Sequence, residues 1–170
     1  MSKRIIVDIN NIDKAINEVK EYEKSIDEKL HLFTQRLAQI GAMEARVSFT
    51  KAMYAGKNDV EVEVEELKDG KGYVVRSSGS AVLFIEFGTG ILNPEHPQSG
   101  EFGYAHGTYG KGKGKNPKGW VYKGEQGNAG KELRPGVYHT YGNPPSRSMY
   151  NASKEMRKEI TRIAKEVFSK

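Results

Sequence analysis

Apolar residues recur every seven positions along the first part of the chain: Ile12, Val19, Ile26, Phe33, Ile40 and Val47. Ile16, Leu30 and Leu37 add a flanking row, which Glu23 and Glu44 interrupt. A seven-residue apolar period is that of a helix able to supercoil, so the chain is expected to be helical through about Ala55. Asn10 or Asn11 offers a cap, and Asp13 places negative charge in the first turn, where the helix dipole favours it. Unbroken from Ile12 to Tyr54, such a helix would measure about 60 Å. A globule of this chain length is only about 40 Å across. The helix is therefore expected either to break, most cheaply at Gly41, or to project and pack on a neighbouring subunit.

The period then changes. Val60, Val62 and Val64 alternate with Glu61, Glu63 and Glu65, which predicts a strand with one wet face. Lys68-Asp69-Gly70-Lys71-Gly72 reads as a turn, because Asp-Gly supplies the positive backbone angles of a tight hairpin. Tyr73 to Arg76 returns as its partner. Ala81 to Gly88 is apolar on both faces except at Glu86, and its length and composition favour a buried strand, with a short buried helix as the alternative. A short extra strand is expected where Ile5, Val7 and Ile9 alternate near the N-terminus, and another at Gly136–Gly142. Asn143-Pro144-Pro145-Ser146 opens the last helix. One face of that helix carries Met149, Ala152, Met156, Ile160, Ile163 and Val167; the other carries Lys154, Arg157, Lys158, Arg162 and Lys165. Long N-terminal helix, antiparallel meander, excursion and C-terminal helix make a single α+β domain over residues 1–170, with an insertion loop at about 89–135.

Composition changes this picture in one place. The chain has 170 residues, 36% of them hydrophobic, and a formal charge of +5. It has no cysteine, which excludes disulfides, thiolate metal sites and a cysteine nucleophile. No apolar window reaches the length of a membrane span and the N-terminus lacks a signal-peptide core, so an intracellular protein without a membrane association is expected. Glycine is the anomaly: of 19, 11 lie between Gly100 and Gly136. The stretch from Gly88 to Pro145 carries seven basic and four acidic residues, a net +3 of the chain's +5. Its lysines Lys111, Lys113, Lys115, Lys118 and Lys123 alternate with glycine near Tyr104, Tyr109, Trp120 and Tyr122. That is the composition of an arm that contacts phosphates, and equally of a loop that orders against a neighbouring subunit.

Candidate chemistry is sparse. His96 and His106, with Glu95 and Glu101, offer nitrogen and oxygen metal ligands without the spacing of a dedicated site. His106 and His139 with nearby lysines are the residues that acid–base cleavage of RNA would need. Gly110-Lys111-Gly112-Lys113-Gly114-Lys115 lacks the Gly-Lys-Ser/Thr ending of a P-loop. No cofactor is expected.

Two short motifs are sharper: Phe84-Ile85-Glu86-Phe87-Gly88-Thr89-Gly90, after the hairpin, and Gly142-Asn143-Pro144-Pro145-Ser146-Arg147-Ser148-Met149-Tyr150-Asn151-Ala152, at the start of the last helix. Behind a long N-terminal helix, they resemble the small tail-component proteins of long-tailed bacteriophages, the tail-completion or head–tail neck proteins. That family pairs a hydrophobic-Glu-Phe-Gly-Thr segment with a Pro-x-Pro-Phe-Met-x-x-Ala-like entry into its final helix. Here Ser146-Arg147-Ser148 stands where the family commonly has a Pro-Phe pair. The resemblance implies a non-enzymatic virion protein that assembles in the host cytoplasm as a closed ring, expected to be a hexamer. It would join tail tube to connector or head-completion protein. Glu86, Phe87, Gly88, Thr89, Pro144, Pro145 and Arg147 are the expected contact residues, and Glu86 is expected to pair with a cation, Arg147 being the nearest candidate. In such a ring Lys111, Lys113, Lys115, Lys118 and Lys123 would face DNA in the lumen. The competing expectation is a small nucleic-acid-binding protein or RNase-like enzyme using His106, His139 and those lysines.

Overall fold

In the computed structural model, which describes residues 12–90 and 118–169, α1 (Ile12–Lys51) runs unbroken for 40 residues. Gly41 does not break it. Its role is packing: α3 (Ser148–Phe168) lies antiparallel along the C-terminal half of α1, and a Cβ on Gly41 would collide with Sδ of Met156 and come within 2.8 Å of its Cγ. The buried face of α1 is Leu37, Ala38, Gly41, Ala42, Ala45 and Phe49. These mostly small residues recur at spacings of three and four, so a second helix can approach closely. The seven-residue row only partly follows that face. Ile12, Ile16, Val19 and Leu30 remain 45–50% exposed, and only the stretch from Phe33 onward meets α3, with Phe33 and Phe168 edge to face at 6.0 Å.

The alternating valines form β1 (Glu61–Glu66), antiparallel to β2 (Tyr73–Ser78), with Glu66 opposite Tyr73 and Glu61 opposite Ser78. Asp69 and Gly70 turn the hairpin, and the Leu67 N–H donates to the Gly72 carbonyl at 2.9 Å. Val62 is buried among Ala42, Ala45, Phe49, Ala81, Ile85 and Ala152. The hairpin is pinned to α1 at both ends. Arg46 donates twice to the Val62 carbonyl, at 3.0 and 2.7 Å, and the Tyr73 hydroxyl lies 2.6 Å from Nε2 of His31.

The apolar run expected as a buried strand is a helix, α2 (Val82–Phe87). The reason lies in its ends. The Asp59 carboxylate accepts the N–H groups of Ser80 and Ala81 at 2.8 and 2.9 Å, satisfying donors that a helix start leaves open. The Ile85 N–H donates to the Ala81 carbonyl at 2.9 Å, and Gly88 ends the helix at φ 77°. An all-apolar run has no period by which to tell the two structures apart.

Among the described residues the remaining strands form two further antiparallel sheets rather than continuing the first hairpin. β3 (Thr89–Gly90) pairs with β7 (Gly142–Asn143). β4 (Trp120–Lys123), β5 (Lys131–Arg134) and β6 (Val137–Thr140) form a three-stranded sheet in the order β4-β6-β5. The 89–135 stretch, read as an insertion loop, therefore contributes β3, β4 and β5 among the described residues. Its last connection is fastened to the end of α1: Asn128 donates from Nδ2 to the Ala52 carbonyl at 2.8 Å and accepts the Tyr54 N–H at 2.8 Å. The expected strand at Ile5–Ile9 and the capping residues Asn10 and Asn11 lie outside the described residues.

On α3, Ala152, Ile163 and Val167 are buried as the spacing predicts, whereas Ile160 is 43% exposed. Beside that buried row runs an ion-pair ladder from Lys158–Glu155 through Arg162–Glu159 to Arg162–Glu166, and Arg36 of α1 joins it at 3.3 Å from Glu166. The protein is thus an α+β fold built on the α1–α3 pair. Among the described residues, no helix is long and apolar enough to cross a membrane.

Candidate functional site

The two sequence motifs meet. Thr89 stands opposite Asn143 and Gly90 opposite Gly142, closing 54 residues of chain at one bridge. Asn143 is 1% exposed, and its N–H and both ends of its side-chain amide are engaged. Its amide Nδ2 donates to the carbonyls of Phe84 (2.9 Å) and Pro144 (3.3 Å). Its Oδ1 accepts the Thr89 hydroxyl at 2.5 Å, and its N–H donates back to that hydroxyl at 3.2 Å. Gly88 has to be glycine here. With φ at 77°, its Cβ would sit 2.7 Å from the Pro145 nitrogen and 2.8 Å from the Asn143 carbonyl oxygen.

Glu86 shows why the joint also orients α3. Its carboxylate, 5% exposed, accepts the N–H groups of Met149 at 2.9 Å and Tyr150 at 3.1 Å. These belong to the first turn of α3, which carries partial positive charge. Arg147 occupies the cap position in a left-handed conformation (φ 58°) and makes no side-chain cap hydrogen bond. A glutamate from α2 therefore takes the place of the usual Ser, Thr, Asp or Asn cap. Glu86, for which Arg147 is the expected partner, meets the amino end of the helix that Arg147 begins, and the Arg147 N–H donates to the Glu86 carbonyl at 3.3 Å.

Glu86, Phe87, Gly88, Thr89, Pro144, Pro145 and Arg147 are thus brought together as a joint between α2 and α3. The first three are buried within the chain, and Pro144 faces outward. Of the expected DNA-facing lysines, Lys118 lies just before β4 and Lys123 ends it, both exposed. Lys111, Lys113 and Lys115 lie outside the described residues, as do His96, His106, Glu95 and Glu101. His139 sits on β6, its Nε2–H donated to the Lys118 carbonyl at 2.7 Å and its ring edge to face with Tyr141. That nitrogen is occupied by the fold, and the RNase-like reading gains no support from it. Among the described residues no group of three histidines or carboxylates is placed to hold a metal ion.

Beside the joint lies a pocket of about 270 Å³. Its walls are Tyr54, Phe84, Trp120 and Tyr122, and its floor is Thr89, Thr140 and Asn143. The floor hydroxyls are already bonded: Thr140 Oγ1 accepts the Gly142 N–H at 3.0 Å, and Thr89 is held by Asn143. Tyr122 donates to the Ala55 carbonyl, and burial raises the pKa of both Tyr54 and Tyr122. Neutral, aromatic and internally satisfied, the pocket suits an apolar group rather than an ion. Sequence reasoning did not single out Asp59 or Tyr54. Asn143 and Phe84 lie inside the two quoted motifs, and Trp120 and Tyr122 are named there as aromatics beside the lysines, not as walls of a pocket. The chain matches no protein-family model, no curated protein and no solved structure.

Proposed function

We propose that the chain is a non-enzymatic structural subunit of the head–tail neck or tail end of a long-tailed bacteriophage. It assembles as a closed homo-oligomeric ring, expected to be hexameric, joining tail tube to connector. The observation that carries this reading is the bridge between Thr89 and Asn143. It makes one structural unit of the two segments whose resemblance points to that family. Head-to-tail contacts between copies that close produce cyclic assemblies. Virion localisation and the tail-tube and connector partners belong to the same proposal. Light scattering and electron microscopy of the purified chain, with and without tail-tube protein, test it. Closed rings that bind the tube are expected; a strict monomer that ignores the tube overturns it.

A further inference from the structure

Beyond the ring, α1 carries a face with a charge code of its own. α3 ends at Phe168, beside Phe33, and the β1–β2 hairpin reaches α1 at His31. N-terminal to these points about 27 Å of helix continues from Leu30 back to Ile12, bearing Ile12, Ile16, Val19 and Leu30 at 45–50% exposure. In coiled-coil terms Ile16, Glu23 and Leu30 are a positions, and Ile12, Val19, Ile26 and Phe33 are d positions. The flanking e positions read Asp13, Lys20, Asp27.

We propose that this half of α1 is a self-interface, which pairs antiparallel with the same segment of a second copy about a two-fold axis between Lys24 and Ser25. In that register Val19 faces Leu30 of the second copy, Glu23 faces Ile26, and Ile16 meets Phe33 beside the end of α3. Lys20 then lies against Asp27 of the second copy, and the symmetry makes the same pair twice. The other registers are worse. Parallel pairing buries Glu23 against its own copy. An antiparallel shift of one heptad toward the N-terminus opposes Lys20 to Lys20 and Asp13 to Asp27. A shift the other way opposes Asp27 to Asp27, and where the proposed register brings only Ile12 up to Leu37, which α3 already covers, it brings Val19 there. Like charges opposed across a helix pair set register and orientation.

The natural absence of cysteine makes the test direct. Val19→Cys and Leu30→Cys chains are oxidised separately and as a mixture. The inference expects a cross-linked dimer in the mixture and little in either chain alone, since like positions lie on opposite sides of the axis. Cross-linking of Val19→Cys alone as readily as the mixture, or none in any sample with helicity retained, overturns it. Lys20→Asp is expected to raise the dimer dissociation constant roughly tenfold at low salt, with two ion pairs lost at once. Adding Asp27→Lys restores it, and failure of that restoration also overturns the register. The inference does not rest on the ring. Rings without the cross-link sink this contact alone, and the cross-link without rings sinks the ring alone.

Discussion

Thr89 and Asn143, 54 residues apart, hold each other by two hydrogen bonds, the Thr89 hydroxyl donating to Oδ1 and accepting the Asn143 N–H. Because Asn143 also supports the Phe84 carbonyl, α2, β3 and the entry to α3 share one buried side chain. Asn143→Ala leaves buried polar groups unsatisfied and is expected to cost about 3 kcal/mol; Thr89→Val is expected to cost about 1 kcal/mol. Urea unfolding measures both. Equal, near-zero losses would remove Asn143 from the centre of the joint.

Glu86 caps a helix that its own segment does not begin. Glu86→Gln keeps the shape and an acceptor oxygen but loses the charge against the amino end of α3, and about 1 kcal/mol is expected to go with it. Glu86→Ala orphans the Met149 and Tyr150 N–H groups, with an expected loss of about 3 kcal/mol. If both variants melt with the parent, the cap assignment fails.

Asp59 makes stability depend on acid. The Ser80 hydroxyl, then the Ser80 and Ala81 N–H groups, favour its ionised form and lower its pKa from 3.8 to about 2. The folded value lies below the unfolded one, so the unfolded chain takes up the proton first on acidification. Its stabilisation is complete above 3.8 and drains away as pH falls toward about 2. Asp59→Asn should melt lower at neutral pH and show a shallower loss of stability across that window. A slope equal to the parent's would contradict this.

Two glycines separate strain from space. Gly88→Ala meets both left-handed strain and main-chain atoms at 2.7 and 2.8 Å, and is expected to lose more than about 3 kcal/mol or fail to fold. Gly136 has φ 71° but nothing within 4 Å of an added Cβ, so Gly136→Ala should cost only about 1 kcal/mol. Denaturant midpoints rank the pair, and the reverse ranking would refute the joint's tightness.

The sequence was most informative where a period was long. Forty residues of α1 and the valine alternation of β1 announce themselves. The face on which α1 packs does not, since Ala42, Ala45 and Gly41 carry little hydropathy and the larger Val47 stays 44% exposed. The α2 segment was ambiguous because its helical state is set by Asp59, more than twenty residues upstream. Strands β4 and β5 were hidden by the glycines around them, although Trp120-Val121-Tyr122 is β-prone. In the joint, Glu86 could be seen to need a partner. That the partner is a helix end is a tertiary fact.

The seam between α1 and α3 carries a consequence for descent. Ala42 and Ala45 are 0% exposed, and even a single added carbon on Gly41 would run into Met156. Over generations this strip can exchange one small residue for another but cannot accept a leucine, however apolar. Selection there acts on side-chain volume, and a lineage that had lost every other trace of common ancestry would still keep its smallest residues at every third or fourth place.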